Sequence, residues 1–451
     1  MSSTLLMALL LQAAAVILMR HRLGRRWLQR PVSLLVIVAV VCQGVSEVLL
    51  EVPSIRIWDN DRIGIAQNYI DAAVLVISVG LLVMVVCYLA ARPERAVHQV
   101  RGDEAAIAAG VFDWRLISLM CVPLAVLTYQ GHGYNHGASA GPATPLSSNL
   151  ASTFLLLFVV LAAFGFLSRY GMRWFTLVLI LQSALLAAAG ERTPVIADAI
   201  ILFLLLKYVG LRPSRRQMNG AWVLIVIVFL GITGYRAEKG RMIFYSNSGL
   251  ISRIEAIGTG FHTLLFTAGQ GSTGPGLITE VTIRLDGNAF AGGVLQDIRV
   301  GQPRLGPARA AESILLAIPH ALWSSKSAHG LELNSVQTEM STFGLQQINF
   351  LPGFFGLYIG YLGPYLLIIF LIGTGLILGW GERWLMRQFT VVRIVFLASM
   401  LEAIFSYQAG LPAMLVTFRP AIVLAIFVKI FDKLKNHQVA APLPSLQEEA
   451  S

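Results

Sequence analysis

The sequence predicts an all-α polytopic membrane protein, and three observations carry that prediction. Apolar residues fill 56% of the 451 positions and charged residues only 13%, where a soluble domain carries about a quarter charged residues. Runs of about 20 apolar residues recur along the chain, the length a helix needs to cross about 30 Å of hydrocarbon. The basic residues behind the net charge of +10 fall mainly in short segments between those runs. There they orient a membrane protein, and no nucleic-acid partner is implied.

Taken in order, the first apolar run covers Thr4 to Met19. It has no basic residue before it and a dense basic stretch after it, Arg20 to Arg30, with five arginines and no acid. That layout is not a secretory signal peptide. It predicts a first span with its N-terminus outside and a cytoplasmic turn. A second span, about Pro31 to Leu50, leads to an outside segment with Glu51, Asp59 and Asp61. A third, about Tyr69 to Ala91, returns to a cytoplasmic stretch with Arg92, Arg95 and Arg101. Five further runs follow: Trp114–Tyr129, Leu150–Leu167, Trp174–Ala189, Pro194–Val209 and Ala221–Tyr235. After a long polar segment come Phe354–Leu378, Val391–Ala409 and Pro412–Phe431, then a basic cytoplasmic tail.

One alternating assignment of about eleven helices satisfies every short loop. It divides the chain into an N-terminal bundle of about eight helices (1–235), a long extracytoplasmic loop between the eighth and ninth (236–353), about three C-terminal helices (354–431) and a tail (432–451). No internal repeat is visible, which weakens a transporter built from inverted halves. The cysteines Cys42, Cys87 and Cys121 all lie inside apolar runs, where they behave as small hydrophobes.

The loop from Arg236 to Gly353 holds nine Lys or Arg, eight Asp or Glu and three His. Its glycine-rich run, Gly269 to Gly276, lacks the Gly-Lys-Ser/Thr ending of a phosphate-binding loop and reads as a connector. The segment Ala308 to Ile318 places Ala311, Leu315 and Ile318 on one helical face, a pattern that suits a helix lying along the membrane interface.

Charged residues within spans pair or face a cavity. Glu402 and Arg419 are equidistant from the Gly410-Leu411 turn, so an antiparallel hairpin puts both roughly 12 Å deep at 1.5 Å per residue. The spacing predicts an ion pair, which on general grounds is more often a register device than a functional one. Gln182 and Asp198 are related similarly about Gly190; a shared cavity with Arg192 and simple interhelical hydrogen bonding both fit.

Gly190-Glu-Arg-Thr-Pro194 sets Arg192 at the outer start of a helix, with Thr193 as N-cap and Pro194 in the first turn. Free N–H groups and a guanidinium fork together suit a pyrophosphate; an arginine snorkelling to lipid phosphates looks the same. Arg236, Arg241, Arg253 and Arg284 add cations over the same face, and a merely solvated surface would too.

Ile318-Pro-His-Ala-Leu-Trp-Ser-Ser-Lys326 and Phe350-Leu-Pro-Gly-Phe-Phe-Gly-Leu-Tyr358, followed by Gly360 and Gly363, carry a family resemblance. They are similar to the bacterial oligosaccharide repeat-unit polymerases, the Wzy-type O-antigen and capsule polymerases. In that family the outer loop commonly ends in Ile-Pro-Arg-x-x-Trp-Pro-x-Lys, and Pro-Gly-x-x-Gly-Glu-x-Tyr-x-x-x-Gly enters the next span. Gly190-Glu-Arg-Thr resembles the family's Gly-x-Arg element. His320 stands where arginine is usual, Ser324 where proline is, and Leu357 where glutamate is common.

The resemblance implies a GT-C-like, metal-independent membrane glycosyltransferase of the bacterial inner membrane, without cofactor. It would join undecaprenyl-pyrophosphate-linked oligosaccharides, with membrane lipid and other polysaccharide-assembly proteins as partners. Arg192, Trp323 and Lys326 are the matching positions. Arg192, Arg236 and Arg241 suit the leaving pyrophosphate, with Arg253 and Arg284 as further substrate-binding cations. His320 is the candidate base, and Trp323 a platform for a sugar face. A glycan ligase, a flippase or transporter of lipid-linked sugar, and a scaffold without turnover are the competing readings.

Overall fold

The computed structural model describes residues 2–57, 59, 62–91, 285–301, 306–315, 353–387 and 391–405, with short pieces between 201 and 283 and between 407 and 426. Among the described residues every regular element is helical. Four of the described helices are long and apolar enough to cross a membrane: α1 (Ser3–Leu23), α2 (Pro31–Leu50), α3 (Gln67–Ala91) and the helix that begins at Gly353. Three others, α4 (Asn288–Val300), α5 (Gly306–Leu315) and α7 (Val391–Phe405), flank α6 (Gly353–Arg387), and short helical pieces cover Gly24–Gln29 and Pro53–Arg56.

The ends of these helices follow from local chemistry. Ser2 caps α1 by accepting the Leu5 N–H at 3.0 Å, satisfying one of the donors that a helix start leaves open. Arg20, His21 and Arg22 occupy the last turn of α1, where positive charge complements the helix dipole. The helix thus runs past Met19 and carries the start of the basic stretch. Pro31 opens α2 at a position where its missing N–H costs nothing.

Polar contacts fix the relative directions. The Ser2 hydroxyl donates to Asp71 near the start of α3. Arg30, before α2, donates to Glu382 near the end of α6, and Tyr88 near the end of α3 donates to the other oxygen of Glu382. Arg383 donates to the Ala91 carbonyl at 2.7 Å. Gly353 begins α6 beside Gln43 of α2. Helices α1, α3 and α6 therefore run one way and α2 the other.

α3 and α6 meet through a small-residue seam. An added Cβ on Gly375 would sit 2.4 Å from the Met84 carbonyl oxygen, and one on Gly379 2.9 Å from that of Tyr88. This is the small-xxx-small spacing that lets backbones approach where no hydrophobic effect drives association. α6 itself breaks at Gly363 (φ 77), followed by Pro364. The piece before the break is buried almost throughout, from Phe354 to Tyr361. The piece after it exposes Tyr365, Leu366, Ile369 and Trp380. A backbone break at that depth is tolerated where protein surrounds it.

α4, inside the 236–353 segment, packs into the same core as the spans. Phe290, Ala291 and Val294 are buried with Tyr88, Phe355 and Tyr358 in one cluster. α5 forms over Gly306–Leu315 and also contacts α6. It buries Ala310 and leaves Ala311 and Leu315 exposed, so the outward face is the one the sequence marks as apolar. Of the remaining predicted spans, those between 114 and 189 lie outside the described residues.

If the seam holds α3 to α6, Gly379→Val should destabilise the protein by roughly 1–3 kcal/mol, the usual cost of overpacking a tight contact. Gly373→Ala, where an added methyl meets nothing within 4 Å, should melt like the parent. Equal melting of the two variants in detergent would remove the seam as a packing determinant.

Candidate functional site

Three separate stretches converge at the Ser2 end of the helices. The first is α2, whose middle widens into a π turn over Val40–Val45, a distortion common at functional sites. Within it the Gln43 carbonyl accepts from Asn288 Nδ2 at 2.9 Å. One turn on, Glu47 is fully buried. The second stretch is the connection between α2 and α3, which carries Asp59 and Arg62. The third is the entry to α4, Asp286 and Asn288.

Arg62 joins them. Its Nη1 and Nη2 donate to Glu47 Oε1 and Oε2 at 2.8 and 2.6 Å, the bidentate fork that makes the strongest carboxylate pair. Its Nε donates to Asp286 Oδ2 at 3.0 Å and lies 3.0 Å from Asp59 Oδ2. Arg62 is only 8% exposed. Burial opposes its charge, but Asp286, Glu47 and Asp59 outweigh burial and hold the guanidinium above its ordinary value.

The carboxylates are held from the other side as well. Asn288 Nδ2 donates to Glu47 Oε2 at 3.0 Å, and the Asn288 N–H donates to Asp286 Oδ1 at 2.9 Å. Gln67 Nε2 donates to Glu47 Oε1 at 3.0 Å and to Asp71 Oδ1 at 2.9 Å. Further out, Gln296 bridges the Ala66 N–H (2.9 Å) and the Gly64 carbonyl (3.1 Å). Burial lifts the Asp286 carboxyl to about 6; Arg62 opposes the rise, and Glu47 and Asp59 add to it.

Beside this array lies a second group of polar side chains. Gln43 Nε2 donates to the Tyr407 hydroxyl at 3.3 Å. It also lies close to Gly287 and Gly353, so the two ends of the stretch 288–352 meet at one glutamine. Gln43 Oε1 and Asn288 Oδ1 are buried acceptors without a hydrogen-bond partner. Among the described residues no group of three or more metal-ligating side chains is arranged to hold an ion.

The sequence-predicted site residues Arg192, Arg236, Arg241, Arg253, Arg284, His320, Trp323 and Lys326 lie outside the described residues, as do Gln182, Asp198 and Arg419. Glu402, half-buried on α7, is described. Thr417 donates to the Ser399 carbonyl at 3.2 Å, which sets the 417 stretch beside α7. Sequence reasoning missed the Glu47–Arg62–Asp286 array. The signal was present: Glu47 is an acid inside a predicted span, the kind of residue that is costly in a membrane unless it is paired.

The array predicts an asymmetry. Arg62→Met leaves three carboxylates facing one another and should cost roughly 3–5 kcal/mol, as for any buried pair broken on one side. Glu47→Gln leaves Arg62 two carboxylate partners and should cost less. Adding Glu47→Gln to Arg62→Met should recover stability. Losses that simply add in detergent melts would show that the two side chains do not interact.

No protein-family model, no curated protein and no solved structure matches this chain.

Proposed function

We propose that this protein is a polymerase of undecaprenyl-pyrophosphate-linked oligosaccharide repeat units, working at the outer face of the bacterial cytoplasmic membrane. The observation that carries the reading is the pairing of Ile318–Lys326 with the Pro352–Gly363 entry to α6, the two motifs that resemble those of the repeat-unit polymerases. Gly190-Glu-Arg-Thr193 adds a third element.

The geometry supports the reading in one respect. The stretch that bears the first motif is bounded by residues 288 and 353, and both bounds lie at Gln43, at the Ser2 end of the helices. The arginine-rich stretch Arg20 to Arg30 belongs to the opposite end, through Arg30 and Glu382. By the positive-inside rule the Ser2 end is the outer one. In this reading the N-terminus is outside and the C-terminal tail cytoplasmic.

The chemistry follows from the residues. The reaction needs a leaving pyrophosphate stabilised and an acceptor hydroxyl positioned and deprotonated. Arg192, Arg236 and Arg241 serve the first task, with Arg253 and Arg284 as further anion contacts. His320 is the candidate base, Lys326 a second cation at the same motif, and Trp323 a stacking surface for a sugar ring. A glycan ligase uses the same leaving group with a different acceptor, and the acceptor found in a reconstituted reaction separates the two.

Arg192→Ala should abolish polymer at normal protein level, with single repeat units accumulating on the lipid carrier. Wild-type chain lengths in that variant would remove Arg192 from the site. Repeat units trapped in the cytoplasmic leaflet of a deletion strain would favour the transporter reading instead.

A further inference from the structure

The Asp59 and Asp286 carboxylates are placed unusually. Each has its Oδ2 at 3.0 Å from the same atom, Arg62 Nε. One N–H cannot serve two carboxylates equally, and here it is aimed at Asp286. Of the other two donor nitrogens of Arg62, Nη1 serves Glu47 at 2.8 Å, and Nη2 serves Glu47 at 2.6 Å while lying 3.0 Å from Asp286 Oδ2. Three carboxylates thus surround one guanidinium, in a setting where Glu47 is fully buried, Asp59 is 6% exposed and Asp286 is 9% exposed. Like charges at such spacing do not both ionise readily.

A second observation points to what the array lacks. Asn288 is 0% exposed and shares its side chain with Glu47 and the Gln43 carbonyl, yet its Oδ1 has no hydrogen-bond partner. Gln43 Oε1 is likewise without one. Acceptors are in excess, and the missing species is a donor. A proton on one of the carboxylates turns an acceptor into a donor within the array and lowers the crowding of negative charge at the same time.

We propose that Asp59 and Asp286 bind one proton between them, and that this proton fastens the α4 segment to the first two helices. Asp59 lies in the connection after α2, and Asp286 lies at the entry to α4. The shared proton therefore bridges two parts of the chain that lie far apart in sequence. Among the described residues the charged groups facing the pair are Arg62 and Glu47, with Asp71 of α3 one hydrogen bond further off through Gln67. The proton comes from solvent at that end of the molecule.

The sign of the pH effect follows. Asp286 is lifted by burial from 3.8 to about 6 in the docked state, so the docked state holds the proton more tightly than the undocked one. The extra docking is complete below 3.8 and is lost as the pH rises to about 6. Acid tightens this contact, whereas an ordinary salt bridge is loosened by acid.

The test uses the full chain in detergent. Melting temperature is followed from about pH 7.5 to about pH 4.5, with infrared difference spectra over the same range. The parent should gain several degrees on acidification relative to Asp286→Asn and Asp59→Asn. A protonated-carboxyl carbonyl band should grow in the parent and be lost in each variant. Two results would overturn the proposal: parallel melting curves for parent and both variants, or an infrared band that survives both substitutions. If Asp286→Asn does not fold, Asp59→Asn and the spectrum of the parent decide alone, and absence of the band in the parent at the acid end refutes the proposal.

Discussion

A guanidinium taken out of water loses hydration worth several kcal/mol, and only close, well-oriented acceptors offset that loss. Arg62 meets the condition by drawing on three stretches of chain at once: Glu47 from α2, Asp59 from its own connection and Asp286 from the entry to α4. Each of these carboxylates has Arg62 as a cationic partner, and Arg62 has three anionic ones. The contact is therefore a constraint on topology before it is a source of stability. It requires the α2–α3 connection and the start of α4 to arrive at the same place, and the packing of Phe290, Ala291 and Val294 follows from that arrival.

The opposite end of the body uses a smaller version of the same device. Glu382 is 1% exposed and takes Arg30 and Tyr88 on its two oxygens, tying the start of α2 and the end of α3 to the end of α6. Between the two clamps the helices meet through apolar and small residues, including the Gly375–Gly379 seam. In hydrocarbon such contacts bring helices together by close packing and do little to choose between neighbouring registers. The polar clamps choose. A slip of one turn along α3 would separate Tyr88 from Glu382 at one end and Gln67 from Glu47 at the other.

The described spans were legible because hydropathy and length are properties of single stretches: Pro31–Leu50 is reproduced as predicted, and Gln67–Ala91 within two residues at its start. The break in α6 was written at Gly363-Pro364, yet a continuous apolar run conceals which side of it is surrounded by protein. The array around Arg62 was not legible, because its members stand at positions 47, 59, 62, 286 and 288, and no local pattern joins them. Asp59 stood as one acid of an outside segment, with nothing to point from it to Arg62 three residues on. Only Glu47, an acid within a span, gave warning, and nothing in the sequence named its partner. Periodicity also joined Ala311 and Leu315 into one stripe; both are exposed on α5, and the core takes Ala310.

The array lies where the two bounds of the motif-bearing stretch meet. A segment tethered at one end samples a wide volume, and closing it at the second end costs entropy that grows only slowly with length. Here Gly287 and Gly353 both lie at Gln43, so the stretch between them is closed on a single buried side chain. Its near end is further held by Asp286, Asn288 and Gln296. A reactive constellation needs supporting groups that fix it to a fraction of an ångström, and exposed loops rarely provide them alone. Gln43 and the array around Arg62 are the supporting groups at the two bounds of that stretch.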